Sequence, residues 1–210
     1  MNKAIVVDLD GTLLKTNTFL QYIKFVCYEM LKQGDVFRVG IICFLVFLRK
    51  IRIISSHEKL KKRILIISKR YTDENRMNKL IKELCYFENK EVIFLLGKYK
   101  SMGYVSVLST AAPCVYAALI GKCYGFNFVC STAMPNQEEW HENVNEQKKK
   151  NTISLLENNS LKLAVMITDH YDDLPLLLLD KEDNFIINPT DKSKKIMEKK
   201  HIKCKYIYGE

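Results

Sequence analysis

The chain has 210 residues, 48% hydrophobic and 27% charged, with 33 Lys and Arg against 24 Asp and Glu and a formal net charge of +9. Those proportions exclude a disordered chain and allow one substantial domain, or a core with a small insertion. The basic balance favours anionic partners (phosphorylated substrates, nucleic acid or an acidic membrane surface) without choosing among them, and solvated Lys-rich helix faces would give the same balance.

Ala4 to Val7 is a short apolar, β-branched run followed by Asp-Leu-Asp-Gly, which predicts a buried strand ending in a tight loop. From Thr16 to about Tyr86 the pattern turns helical: Phe19–Leu31, Phe37–Ile54, His57–Lys69 and Asp73–Phe87, with Ile64–Ile67 ambiguous between helix and strand. After it, strand and helix alternate. Glu88–Lys100 predicts a helix, Tyr104–Leu108 a strand, Pro113–Tyr124 a helix and Phe126–Val129 a strand. Then come a helix over Gln147–Glu157, a strand over Leu161–Ile167, a helix over Tyr171–Leu179, a strand over Phe185–Ile187 and a helix over Thr190–Lys200. Lys203–Tyr208 reads as an edge strand. Alternation of this kind implies an α/β fold, a mostly parallel sheet with helices on both faces, whose ligands bind beyond the carboxyl ends of the strands.

The seven cysteines contain no C-x-x-C pair and several sit in apolar runs, so they read as reduced thiols of a cytoplasmic protein. No signal peptide is expected where the N-terminus enters a strand-like run. The longest uncharged apolar run, Val39–Leu48, is ten residues, half of what a membrane-spanning helix needs.

Three strands end in polar residues on one rim: Asp8 and Asp10, Ser109 and Thr110, and Asp169. Gly11 lets the chain turn sharply after Asp10. Asp169 and Asp173, four apart across a strand-to-helix turn, can face one pocket. An oxygen-rich site of this kind suits Mg²⁺, which takes few carboxylates and keeps several waters. Taken alone, an acidic loop such as that at Asp8 is as readily a helix cap or a solvated turn.

Asp8-Leu9-Asp10-Gly11-Thr12-Leu13 resembles the D-x-D-G-T-L signature of the haloacid dehalogenase superfamily. Val105–Ser109, with Thr110-Ala111 following, resembles its second motif, and Thr168-Asp169-His170-Tyr171-Asp172-Asp173-Leu174-Pro175-Leu176 its fourth. Asn188-Pro189 matches the phosphoserine-phosphatase-like branch. The resemblance implies a Rossmann-like, three-layer αβα core over 1–15 and 88–210, with a helical cap over 16–87 inserted after the first strand. It implies a Mg²⁺-dependent phosphatase acting on a phosphomonoester. Asp8 is then the nucleophile, forming an aspartyl-phosphate, and Asp10 the general acid and base. Ser109 bonds a phosphoryl oxygen, Thr110 and Gly11 lie on the substrate side, and Asp8, Asp10, Asp169 and Asp173 surround the metal. The third motif is a Lys, for which Lys148, Lys149 and Lys150 compete. Family spacing of apolar residues four and seven positions later selects Lys149, through Ile153 and Leu156, with Lys148 the runner-up. Thr168 replaces the usual Gly before Asp169, and Asn143-Val144-Asn145-Glu146 replaces a Gly-bearing approach to the Lys.

The implied partner is a small phosphorylated substrate. Nucleic acid is not expected, because the Lys59–Arg70 cluster comes with no recognition motif. Val36–Ile54, apolar and basic, is either a buried cap helix or a surface touching lipid or a lipid-linked phosphate. Phe19, Tyr22 and Phe25 line the site or belong to the core, and Trp140 contacts substrate or anchors packing. A phosphotransferase, or a non-catalytic membrane-accessory protein on the same fold, remain the alternative functions.

Overall fold

The computed structural model describes residues 1–53, 56–136 and 139–209. Six parallel strands form a single sheet in the order β3-β2-β1-β4-β5-β6, from β1 (Asn2–Val7), β2 (Val105–Pro113), β3 (Phe128–Thr132), β4 (Leu161–Thr168), β5 (Asp183–Ile187) and β6 (Lys205–Ile207). The first strand of the chain is thus central, flanked by β2 and β4. The period-2 alternation of a strand sends Ile5, Val7, Leu108 and Ile167 to one face and Ala4, Val6, Val107 and Met166 to the other. α5 (Lys90–Ser101) and α6 (Cys114–Cys123) cover the first face; α7 (Asn145–Asn158), α8 (Leu174–Leu177) and α9 (Asp191–Lys199) cover the second. This is the three-layer α/β architecture expected from the alternating pattern.

Before α5, the connection from β1 to β2 carries an insertion, residues 16–87, with four described α-helices: α1 (Thr18–Lys32), α2 (Val36–Lys50), α3 (His57–Ser68) and α4 (Glu74–Leu84). Each starts on a side-chain cap. Asn17, Asp35, Ser56 and Asp73 accept from the backbone N–H of Leu20, Arg38, Lys59 and Arg76, respectively. Such caps satisfy otherwise orphaned donors and are worth about 1 kcal/mol each. Phe19, Tyr22, Leu60 and Ile64 join the core of the α5–α6 face, so the insertion is packed onto that side of the sheet. Its two ends leave together: Lys15 N–H donates to Phe87 O at 2.7 Å and Asn89 N–H to Leu13 O at 3.0 Å. Residues 16–87 hold 15 of the Lys and Arg but 6 of the Asp and Glu, a net of +9, whereas the remainder holds 18 of each.

Three expectations change. The ambiguous Ile64–Ile67 stretch is helical. The predicted Tyr171–Leu179 helix is a 3-10 turn (Tyr171–Asp173) followed by one short helix with Pro175 in its first turn, where the missing N–H costs nothing. The reading of Val36–Ile54 as a buried cap helix does not hold: α2 ends at Lys50, Ile54 falls outside the described residues, and only Ile42 and Leu45 of the helix are buried.

Candidate active site

The carboxyl ends of β1, β2 and β4 open into a cavity of about 300 Å³ lined in part by Asp8, Asp10, Lys148, Asp169 and Asp173. The sheet itself holds Asp8, whose N–H donates to Ile167 O at 2.9 Å, and its side chain is buried at the floor. Two residues on, Asp10 turns toward the insertion and accepts from the Thr18 N–H at the start of α1. Gly11 has φ +71°. A Cβ there would lie 2.2 Å from Asp169 Oδ2, so glycine is what lets the β1 loop and the β4 carboxylate share one site. Asp169 Oδ1 accepts from the Thr12 hydroxyl at 3.1 Å.

Lys148, not Lys149, reaches Asp8. Its Nζ donates to Asp8 Oδ1 at 2.7 Å and lies 2.7 and 2.8 Å from the two Asp173 oxygens. Lys149 points outward and pairs with Glu146 at 3.8 Å. The physical reason is the inward face of α7, which runs Lys148–Thr152–Leu156 at helical spacing, all three buried. Thr152 is polar, so the apolar rule selected Ile153 and slipped the register by one residue. The approach to this helix also explains itself: Asn145 has φ +48°, a conformation that Asn tolerates better than other non-glycine residues.

The two hydroxyls of β2 do not open into the cavity. Ser109 Oγ bonds Thr152 Oγ1 of α7 at 2.7 Å, and Thr110 Oγ1 accepts from the Ala112 N–H at 3.0 Å; the cavity wall there is Ala111. Trp140 is a packing anchor, buried with its Nε1–H donating to Ala133 O at 2.7 Å, and Phe19, Tyr22 and Phe25 are core. His170 sits on the cavity's edge, where its Nδ1 accepts from the Asp172 N–H at 3.2 Å.

Sequence reasoning missed three contributors. The Thr168 hydroxyl, where a Gly was expected, donates to Asp173 Oδ2 at 2.7 Å and so helps fix the carboxylate that holds Lys148. Asn143 ties β2 and β3 to α7: its Nδ2 donates to Thr110 O at 2.9 Å and its Oδ1 accepts from Asn151 Nδ2 at 3.0 Å. Lys61 of α3 is buried over the Phe19 ring, donates to Ala111 O at 3.1 Å and pairs with Glu142. No local motif marks these residues; each acts through a partner more than ~30 residues away or through a turn.

Burial dominates the electrostatics. It pushes the carboxyls of Asp8 and Asp10 up; Lys148 pulls Asp8 back down, while the Thr18 N–H does so for Asp10. Burial alone would lower Lys148, but Asp173 and Asp8 outweigh it and hold the ammonium charged. Asp169 is pushed up to about 6, chiefly by burial. Asp8, Asp10, Asp169 and Asp173 therefore share one fully buried cation of the cavity lining, with exposed Asp172 at its edge. That deficit, and the all-oxygen donor set, fit a divalent hard cation held by few carboxylates together with water and substrate oxygens. Among the described residues no three His, Cys, Asp or Glu side chains already form a closed metal cluster. Asp173 in particular is turned to Lys148 and Thr168, in the position of an orienting group.

The chain belongs to the haloacid dehalogenase-like hydrolases, whose family model matches residues 5–178. A solved Bordetella pertussis Tohama I protein of unknown function superimposes with a TM-score of 0.74 at 14% identity, covering 97% of this chain and 98% of that one. A HAD family hydrolase from Salmonella enterica serovar Typhi gives 0.64 at 12% identity, covering 99% and 70%. A phospho-aspartyl intermediate analogue of phosphoserine phosphatase gives 0.56 at 14% identity, covering 97% and 92%. These likenesses show a shared fold, one that a phosphoserine phosphatase also adopts. No curated protein sequence matches the chain.

Proposed function

We propose that the chain is a Mg²⁺-dependent phosphatase for a small phosphomonoester, with residues 16–87 as cap and 1–15 with 88–210 as catalytic core. The observation that carries it is Asp8 at the end of the central strand, 2.7 Å from the buried Lys148 ammonium, with Asp10 two residues on. A cavity of about 300 Å³ suits a small substrate. A neighbouring fold solved as a phospho-aspartyl analogue supports the route through an aspartyl-phosphate.

An Asp8 carboxylate oxygen attacks phosphorus as the ester P–O bond breaks, and Asp10, whose carboxyl burial pushes up, gives a proton to the leaving oxygen. Asp10 then takes a proton from water, which attacks the same phosphorus, and the bond to Asp8 breaks to release phosphate. Lys148 neutralises charge on Asp8 and the phosphoryl oxygens, held on line by Asp173. Mg²⁺, when bound, would be held by Asp8, the Asp10 carbonyl and Asp169, and would supply Lewis-acid charge to the phosphoryl group. Ser109 acts here through Thr152 and α7, and Gly11 through the room it leaves Asp169. The seven cysteines, all free thiols, suit a reducing compartment, and we place the protein in the cytoplasm.

The test is phosphate release from a panel of phosphomonoesters with Mg²⁺ and with chelator, with and without added alcohol acceptor. Mg²⁺-dependent release into water supports hydrolysis. Transfer to the alcohol at the expense of free phosphate would replace it with a phosphotransferase, and no turnover from a folded protein would leave the accessory reading.

A further inference from the structure

α2 carries large apolar residues on opposite sides, yet it is packed on one side only. Ile42 and Leu45 face the other inserted helices, while Phe37, Phe44, Phe47 and Ile51 form a stripe at alternating spacings of 7, 3 and 4 on the opposite face. They are 80%, 58%, 55% and 46% exposed. A contiguous exposed apolar stripe marks a surface that meets something. Beside the stripe's C-terminal end stand exposed Lys50 and Arg52.

We propose that this outer face of the insertion docks on an anionic lipid bilayer surface, with the Phe stripe in the interface and the basic residues on the headgroups. Charge identifies the occupant. Residues 36–71 hold ten Lys and Arg, of which Lys61 is buried against Glu142 and Arg38 pairs with Asp35, and one acid, Glu58, whose Oε1 is turned inward to accept from the Glu142 N–H at 3.0 Å. A second copy would set one +9 insertion against another. A polyanion without apolar surface would leave three phenylalanines unused. A bilayer surface with anionic lipids satisfies both halves of the patch. The helix lies on such a surface and does not cross it: among the described residues no helix is long and apolar enough to span a membrane. The inference rests on the surface of the insertion, not on the catalytic reading.

The experiment is sedimentation of the full chain with phosphatidylcholine vesicles, with and without phosphatidylserine, alongside light scattering of the protein alone. Binding to the phosphatidylserine vesicles is expected, reduced about ten-fold or more by Phe44→Glu/Phe47→Glu, since a buried aromatic side chain contributes on that scale. Lys50→Glu/Arg52→Glu reduces it similarly, each basic residue being worth about five-fold at an anionic surface. All variants keep the wild-type circular dichroism and melting curve, because none of the four side chains is buried. Equal sedimentation of wild type and the Phe variant, whether both bind or neither does, overturns the proposal. So does a wild-type dimer that the Phe substitutions dissociate without any vesicle binding.

Discussion

The insertion and the core solve opposite problems with the same chain. The core is electrically neutral, with 18 basic and 18 acidic residues, yet it concentrates four carboxylates around one buried lysine. The insertion carries the entire net charge of +9 and spreads it over its surface, with Lys61 the one buried cation among its described residues. In the core, charge is focused by a low-dielectric rim and made reactive. In the insertion it stays solvated and tunes what the molecule approaches. Net charge therefore says little about where the chemistry is.

The sharpest way to break this contrast is at Asp8. Asp8→Asn keeps the shape and removes the nucleophile, and phosphate release is expected to fall by about 10³-fold or more with folding retained. Residual turnover near wild type would remove Asp8 from the mechanism. Next comes the lysine pair. Lys148→Met is expected to lower kcat by about 10²–10³-fold by removing charge stabilisation, whereas Lys149→Met stays within about two-fold. Steady-state kinetics on both variants decides the register of α7, and equal losses would undo it. Third, Lys61→Met removes the buried cation from Glu142 at the joint between insertion and core and leaves it the half-exposed His57. It is expected to cost about 3 kcal/mol, roughly 6–12 °C in the melting temperature. A silent substitution would mean the two parts are not tied there. Smallest is Phe44→Ser, on the exposed stripe, with a stability change within about 0.5 kcal/mol by denaturant titration. A loss of 2 kcal/mol would show that α2 is core after all.

The strands, the four inserted helices and the carboxylates at strand ends could be read from the sequence because each depends on local spacing: alternation, caps, and a turn after Asp10. What could not be read depends on partners far along the chain. Whether Lys148 or Lys149 faces inward hinges on Thr152, a polar residue on a buried face that finds its bond in Ser109 on another strand. The exposure of α2 was hidden for the converse reason, since a helix with large apolar residues on opposite sides carries no sign of which side is covered. Thr168 looked like a departure from a glycine and proves to be a hydrogen-bond donor to Asp173.

The paired exits of the insertion have one more consequence. Leu14 bridges antiparallel to Glu88, and the flanking N–H groups of Lys15 and Asn89 close the crossing from both sides. Seventy-odd residues thus enter and leave by a single doorway, outside the β1–β2 ladder they interrupt. A short turn joining Lys15 to Glu88 would leave every strand neighbour in place, and a foreign helical bundle with closely spaced ends could be grafted at the same point. The doorway makes the inserted residues, about a third of the chain, exchangeable without rewriting the sheet beneath.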